Sequence, residues 1–208
     1  DVVIQAGGYD TDTVGEDMEL LIKLPDYCRA CKMDYRIKYA TDAICWTQVP
    51  ENMKDLFGQR KRWHRGLFQS MWKHRNMFCN PNYGLVSFIS YLYFLVYELL
   101  SPFIEVFGMI TVVLAYITNV LNVGFMIMFF VIYAVFGTIM SLTAFFTRTQ
   151  TVDLKLTPGD AAKAVLLCFF EVTCLRMVMA FARMSSFFGY KKGKNQWKKI
   201  QRKEMNWK

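Results

Sequence analysis

The chain has two histidines, and six cysteines with only one close pair, Cys28-x-x-Cys31. A structural zinc site takes about four Cys or His ligands. No second pair and no His-x-x-x-His accompanies this one. That argues against structural zinc and leaves the thiols as buried or idle groups of a reducing compartment. No secretory signal peptide is visible, and the first residue is Asp1 rather than Met. The expectation is a piece of a longer protein. No internal repeat or low-complexity tract stands out, which excludes repeat architectures. Charge is scarce as well. From Leu85 to Thr147 only Glu98 and Glu105 are charged, and from Val106 to Thr147 nothing is.

What is present is apolar surface and basic charge. Of 208 residues, 54% are hydrophobic and 16% aromatic, high for a soluble domain. The net charge of +8 is uneven: −4 over residues 1–50, +5 over 51–83, zero over 84–190 and +7 over 191–208. Basic charge therefore flanks the apolar region on both sides. Beside a membrane segment such charge meets anionic headgroups on the cytoplasmic leaflet. No nucleic-acid-binding module accompanies it, so the expected partner is a lipid bilayer and not nucleic acid.

A membrane span needs about 20 apolar residues, and the uncharged run has room for two. The expected spans are about 102–119 and 123–146, joined by a turn at Asn119–Asn122. Both ends of that hairpin face one side. Arg148, Lys155 and the basic tail put that side in the cytoplasm. Residues 85–101 read as a third span or an interfacial helix. Residues 161–188 are apolar but carry Glu171, Arg176 and Arg183, which favours a helix lying along the membrane. The expectation is an integral, multi-pass inner or plasma membrane protein.

Residues 1–50 read as soluble α/β. Val2-Val3-Ile4, Tyr35–Ala40 and Ala43–Trp46 suit strands. Glu16 to about Leu24 suits a helix, with Glu16, Asp17 and Glu19 in the first turn where the dipole favours acids. Pro25 is expected to break or restart it. Residues 51–77 suit one or two basic amphipathic helices with an apolar stripe of Leu56, Trp63, Leu67, Met71 and Trp72, a pattern common at membrane interfaces. The organisation is 1–83 soluble, 84–189 membrane, and 190–208 a basic cytosolic tail.

Two motifs carry chemistry. Thr13-Val-Gly-Glu-Asp17 ends in a carboxylate pair, and a carboxylate within reach of a hydroxyl can take its proton. By itself this is also an ordinary acidic helix start. Gln59-x-x-Arg62-Trp63 puts an amide, a guanidinium and an indole on neighbouring helical positions. A guanidinium suits phosphate oxygens and stabilises charge on a departing diphosphate. An indole offers a sugar a flat apolar face. The bland reading is a solvated basic helix with Trp63 as an anchor. His64 reads as a helix-surface residue, and Trp46 as either acceptor-channel lining or core.

An acidic turn, then Gln, Arg and Trp on a basic helix, then membrane: this order resembles the processive family 2 glycosyltransferases, the cellulose, hyaluronan and poly-N-acetylglucosamine synthases. The resemblance implies the C-terminal part of such an enzyme, an α/β remnant of a GT-A-type domain followed by interface and transmembrane helices. It implies inverting transfer from a UDP-sugar to a growing β-linked polysaccharide acceptor. Asp17 would be the base and Glu16 its orienting neighbour. Gln59 and Arg62 would bind the diphosphate, with Trp63 and Trp46 along the acceptor. The Mg²⁺ or Mn²⁺ of such enzymes would be held upstream. Asp10-Thr-Asp12 has the spelling of a metal motif but lies where the acceptor side is expected, and it reads as a turn. A non-processive transferase acting on a lipid carrier, and a non-catalytic membrane anchor or pore subunit, are the competing expectations.

Overall fold

The computed structural model describes residues 1–40, 43, 45, 47–151 and 156–188, with Gln150 and Thr151 described by backbone alone. Trp46, most of the proposed strand at 43–46, Lys155 and the basic tail fall outside the described residues. The chain divides into two compact units. One comprises Asp1–Pro102 with the described residues from Ala182 onward, and the other Phe103–Phe181.

The first unit is helical. Val2–Gln5 forms one helical turn (α1), and Tyr35–Ala40 forms neither helix nor strand. Among the described residues there is no strand, so the expected strands at Val2–Ile4 and Tyr35–Ala40 are corrected. Short apolar runs carry no decisive period, and a strand's backbone groups must find a neighbouring strand. None is present among the described residues.

Helix α2, Glu16–Ala30, starts at Gly15 and carries its three acids in the first turn. It runs through Pro25, contrary to expectation. The proline costs one backbone bond, to the carbonyl of the exposed Leu21, and is itself buried, as are Ile22 and Cys28. The helix ends where Lys32 turns left-handed (φ 54°) and the Met33 N–H reaches the Cys28 carbonyl at 2.7 Å.

Helix α3, Met53–Lys73, begins with a reciprocal cap. The Asn52 side chain accepts from the Asp55 N–H and donates to the Asp55 carboxylate, both at 2.8 Å. Leu67 and Met71 enter a core with Ile22, Met77, Tyr91 and Leu99. Tyr91 lies on helix α4, Val86–Leu99, and its hydroxyl donates to the Met71 carbonyl at 2.7 Å. Trp72 of the expected apolar stripe is instead 62% exposed. Phe187, near the end of the described chain, stands edge-on to both His64 and Phe68.

The second unit holds most of α5, Ser101–Ile117, then α6, Val123–Thr151, and most of α7, Pro158–Met184. The turn at Asn119–Asn122 is present, with Asn119 left-handed (φ 55°) and the Asn122 side chain accepting from the Phe125 N–H. Val123–Thr149 and Pro158–Met184 are each long and apolar enough to cross a bilayer. Val86–Leu99 and Ser101–Ile117 pass the same test only together, across a 45° bend, the form of a broken span or a re-entrant loop. Alone, α5 reaches only about 26 Å, short of a hydrocarbon core of about 30 Å. Only 6% of the apolar stretch of α6 is buried, a surface suited to lipid and untenable in water. Helices of this kind mark a membrane protein.

The segment expected to lie along the membrane is thus a crossing candidate. Two of its charges, Glu171 and Arg176, are partnered inside the unit. Arg176 pairs with Glu105 at 3.4 Å, and the Ser141 hydroxyl donates to Glu171 at 3.3 Å. Paired and hydrogen-bonded charges lower the cost that made a span look expensive. Gly137 of α6 is what brings Val172 close, since a Cβ there would stand 2.7 Å from a Val172 methyl.

Candidate functional site

The acidic turn and α3 meet at two glycines. A Cβ on Gly66 would stand 3.0 Å from both Cα and N of Gly15, so only glycine lets the backbones approach this far. Beside this crossing, the buried Val14 N–H donates to the Gln69 side-chain oxygen at 2.9 Å. Further along, Lys73 pairs with Asp10 and stands 3.6 Å from Glu19. Gln59, Arg62, Gly66, Gln69 and Lys73 recur at spacings of three and four, which is one face of a helix. The last three touch the acidic turn or the loop that leads to it. Gln59 and Arg62 continue the same face toward the start of α3. Arg62 lies one turn from the crossing, about 6 Å along the axis, and Asp17 lies two residues beyond Gly15.

Asp17 is exposed and Glu16 half-buried, with the Met18 N–H donating to Asp17 Oδ1 at 2.8 Å. Gln59 and Arg62 are half-buried. Trp63 is 46% exposed, and the Arg60 guanidinium sits 5.0 Å over its ring. His64 is a correction: it is buried on α3 rather than on the surface. Burial, with the nearby Arg183 charge adding to it against a backbone hydrogen bond at Leu99, lowers its pKa to about 4. It is therefore a neutral packing residue near pH 7.

Sequence reasoning passed over a buried charge network. The Glu19 side chain is fully buried. The His74 ring, at the end of α3, lies between two carboxylates, with Nε2 3.0 Å from Glu19 and Nδ1 2.6 Å from Asp26. Lys23 stands 3.2 Å from the second Glu19 oxygen and donates to the Gly8 carbonyl at 2.9 Å. Burial by itself would lower the His74 pKa, but the hydrogen bonds to Asp26 and Glu19 and their charges outweigh it and raise it. The His74 hydrogen bond holds the Asp26 carboxyl below its usual range, against burial and with help from Tyr83. Asp10 is likewise lowered, because Lys73 outweighs the cost of burial. Glu19 looked like a helix-dipole acid, yet it falls in phase with the buried Ile22, Pro25 and Cys28 at steps of three. That phase was the available signal.

The second unit has a cavity of about 250 Å³ lined by Tyr133, Phe136, Ser141, Glu171 and Arg176 among others. The α-helical ladder of α7 loosens there into a π turn at Glu171–Leu175, a feature common at functional sites. Among the described residues, no three His, Cys, Asp or Glu side chains converge where a metal ion would sit. The Asp12 N–H donates to Asp10 Oδ1 at 2.9 Å, so Asp10-Thr-Asp12 is a turn with Asp10 committed to Lys73.

The family model for glycosyl transferase family group 2 matches residues 1–147. The probable glycosyltransferase YdaM of Bacillus subtilis (strain 168) is 28% identical over 156 residues, 72% of this chain and 34% of that protein. A poly-beta-1,6-N-acetyl-D-glucosamine synthase of Staphylococcus aureus (strain COL) is 42% identical over 64 residues, 31% of this chain and 14% of that one. The matched stretch is thus about a third of the first relative's length and less of the second's. No solved structure matches.

Proposed function

The chain belongs to glycosyl transferase family group 2, and from that premise we propose that it is the C-terminal part of a membrane-bound inverting transferase that extends a β-linked polysaccharide from a UDP-sugar. The observation that carries the reading is the Gly15–Gly66 crossing, because it sets the acidic turn against the face of α3 that bears Gln59 and Arg62.

Asp17 is the general base. The acceptor hydroxyl gives its proton to an Asp17 carboxylate oxygen as its own oxygen attacks C1 of the donor sugar. The new C1–O bond forms on the face opposite the leaving group. The bond to the diphosphate breaks, and its electron pair leaves on UDP. Arg62 and Gln59 take up the charge that builds on the diphosphate oxygens. Glu16 orients the turn. The exposed part of the Trp63 ring stacks the acceptor end. Trp46 shares the acceptor channel in this reading.

Mg²⁺ or Mn²⁺ is expected from the resemblance, with ligands in an upstream half. The described residues do not form its site, so no step here runs through a metal. The membrane helices receive the growing chain. A cavity midway along α6 and α7, with aromatic walls, a carboxylate and a guanidinium, supports that role. The catalytic side faces the cytoplasm, as the net charge of +5 over residues 51–83, beside the proposed site, favours.

The test is incubation of membranes carrying the full-length protein with individual UDP-sugars, followed by product sizing. One UDP-sugar is expected to give a polymer. A single added sugar would replace polymerisation with one transfer to a carrier. No transfer from any UDP-sugar would leave the anchor reading.

A further inference from the structure

The acidic turn needs a fixed distance from α3 if Asp17 and Arg62 are to act on one sugar. The backbone contact at Gly15 and Gly66 gives a point of approach but no lock. The lock lies two helical turns further along α3. There the imidazole of His74 bridges Glu19 and Asp26, which stand two turns apart on one face of α2. Glu19 is only two residues from Asp17.

Both ring nitrogens of His74 face carboxylate oxygens, at 3.0 and 2.6 Å. A neutral imidazole has one N–H and one lone pair, so it satisfies one carboxylate and repels the other. Only the imidazolium donates to both. The charge count agrees. Facing His74 or its partners are Glu19, Asp26 and Lys23 from α2, Lys73 from α3, Asp10 from the loop and the Tyr83 hydroxyl from the turn at Pro81–Tyr83. Three carboxylates meet two ammonium groups, and the imidazolium makes the balance. Lys23 and Lys73 carry the hold onward to Gly8 and Asp10, in the loop that delivers the acidic turn.

Resting on the reading of this chain as a glycosyltransferase, we propose that His74 is a positioning residue for sugar transfer. As an imidazolium clamped between Glu19 and Asp26, it sets the acidic turn against the Gln59–Arg62–Trp63 face of α3. His74 touches no substrate in this scheme and acts through Glu19 and α2. Loss of its proton leaves a lone pair facing a buried carboxylate, and the turn shifts. A misplacement of about 1 Å remote from the chemistry can cost about 100-fold in rate. Sugar transfer therefore fails reversibly on the alkaline side.

The experiment is a pH–rate profile of the full-length protein in membranes, at saturating UDP-sugar, for wild type, His74→Gln and Asp26→Asn. Wild type should show a reversible alkaline fall in kcat. His74→Gln, permanently neutral, should lose about 10- to 100-fold in kcat, keep its KM for UDP-sugar and lack that alkaline limb. Asp26→Asn removes one anionic partner and keeps the Glu19 contact. It makes His74 easier to deprotonate, so the limb should move to lower pH. A His74→Gln enzyme with the wild-type rate and profile overturns the proposal. An unmoved limb in Asp26→Asn also overturns it, and that variant decides the matter if His74→Gln does not fold. Wild-type protein that transfers no sugar at any pH removes the transferase reading itself, and this inference with it, a result distinct from the other two.

Discussion

Trp63 stands exposed on α3 with the Arg60 guanidinium over its ring. A core anchor would be buried like Leu67 and Met71 in the same helix. Exposure of a large indole beside Arg62 is what an acceptor platform requires. Trp63→Ala should therefore raise the acceptor requirement by about tenfold or more, the range expected for loss of about 1.5–3 kcal/mol of apolar contact. UDP binding should change little. Equal loss of acceptor use and donor binding, measured by initial rates and UDP titration, would count against stacking. The two histidines set a separate, pH-dependent behaviour of the first unit. His74 has a raised folded pKa, so its stabilisation is full below the unfolded value of about 6.5 and is lost as pH rises through the folded one. His64 runs the other way. With a folded value of about 4, the unfolded chain binds a proton first as pH falls below about 6.5, and stability declines toward pH 4. Asp26 and Asp10, both lowered, hold their contribution above about 3.8 and lose it as pH falls through their folded values. Thermal unfolding in detergent across pH 3–9 should therefore peak near neutrality and fall on both sides. A flat profile would contradict this.

The elements were legible to different degrees, and for physical reasons. The start of α2 was announced by three acids in a first turn, where the dipole rewards them, and α3 by basic and apolar residues at helical spacing. The strands were misread because runs as short as Val2–Ile4 carry no usable period, and pairing decides them. Pro25 is expected to break or restart α2, but the bond it gives up is to the carbonyl of the exposed Leu21, within reach of water, while Pro25 itself is buried. The candidate residues Asp17, Gln59, Arg62 and Trp63 are proposed from side-chain chemistry and the resemblance. The device that joins their helices was not legible, because it consists of two glycines and a buried ion network far apart in sequence. Gly66→Ala tests that device. Its Cβ would meet backbone on Gly15 at 3.0 Å, which cannot move aside as a side chain would. The overpacking should cost about 1–3 kcal/mol of stability and lower kcat while leaving UDP affinity in place. A wild-type rate would show that the crossing does not govern transfer. Gly137→Ala is the matching change in the second unit, where the added Cβ would strike a Val172 methyl. Loosening of α6 from α7, again about 1–3 kcal/mol, should appear as a lower melting temperature in detergent. Because α6 and α7 pack within the second unit, UDP binding should be untouched.

At the scale of the whole molecule, the proposed transfer centre lies on a chain whose later helices are long and apolar enough to cross a membrane. Charge scarcity from Leu85 to Thr147 made the membrane legible, and the same scarcity made Glu105 conspicuous before its partner was known. Its pairing with Arg176 lowers the cost of internal charge in α7, a helix long and apolar enough to cross. The central claim is that a carboxylate at the start of α2 and the Arg–Trp face of α3 form one sugar-transfer centre. Asp17→Asn in the full-length protein tests it most directly, by measuring polymer synthesis and UDP binding side by side. The account predicts that synthesis stops while UDP binding stays near wild type; synthesis at the wild-type rate would contradict it.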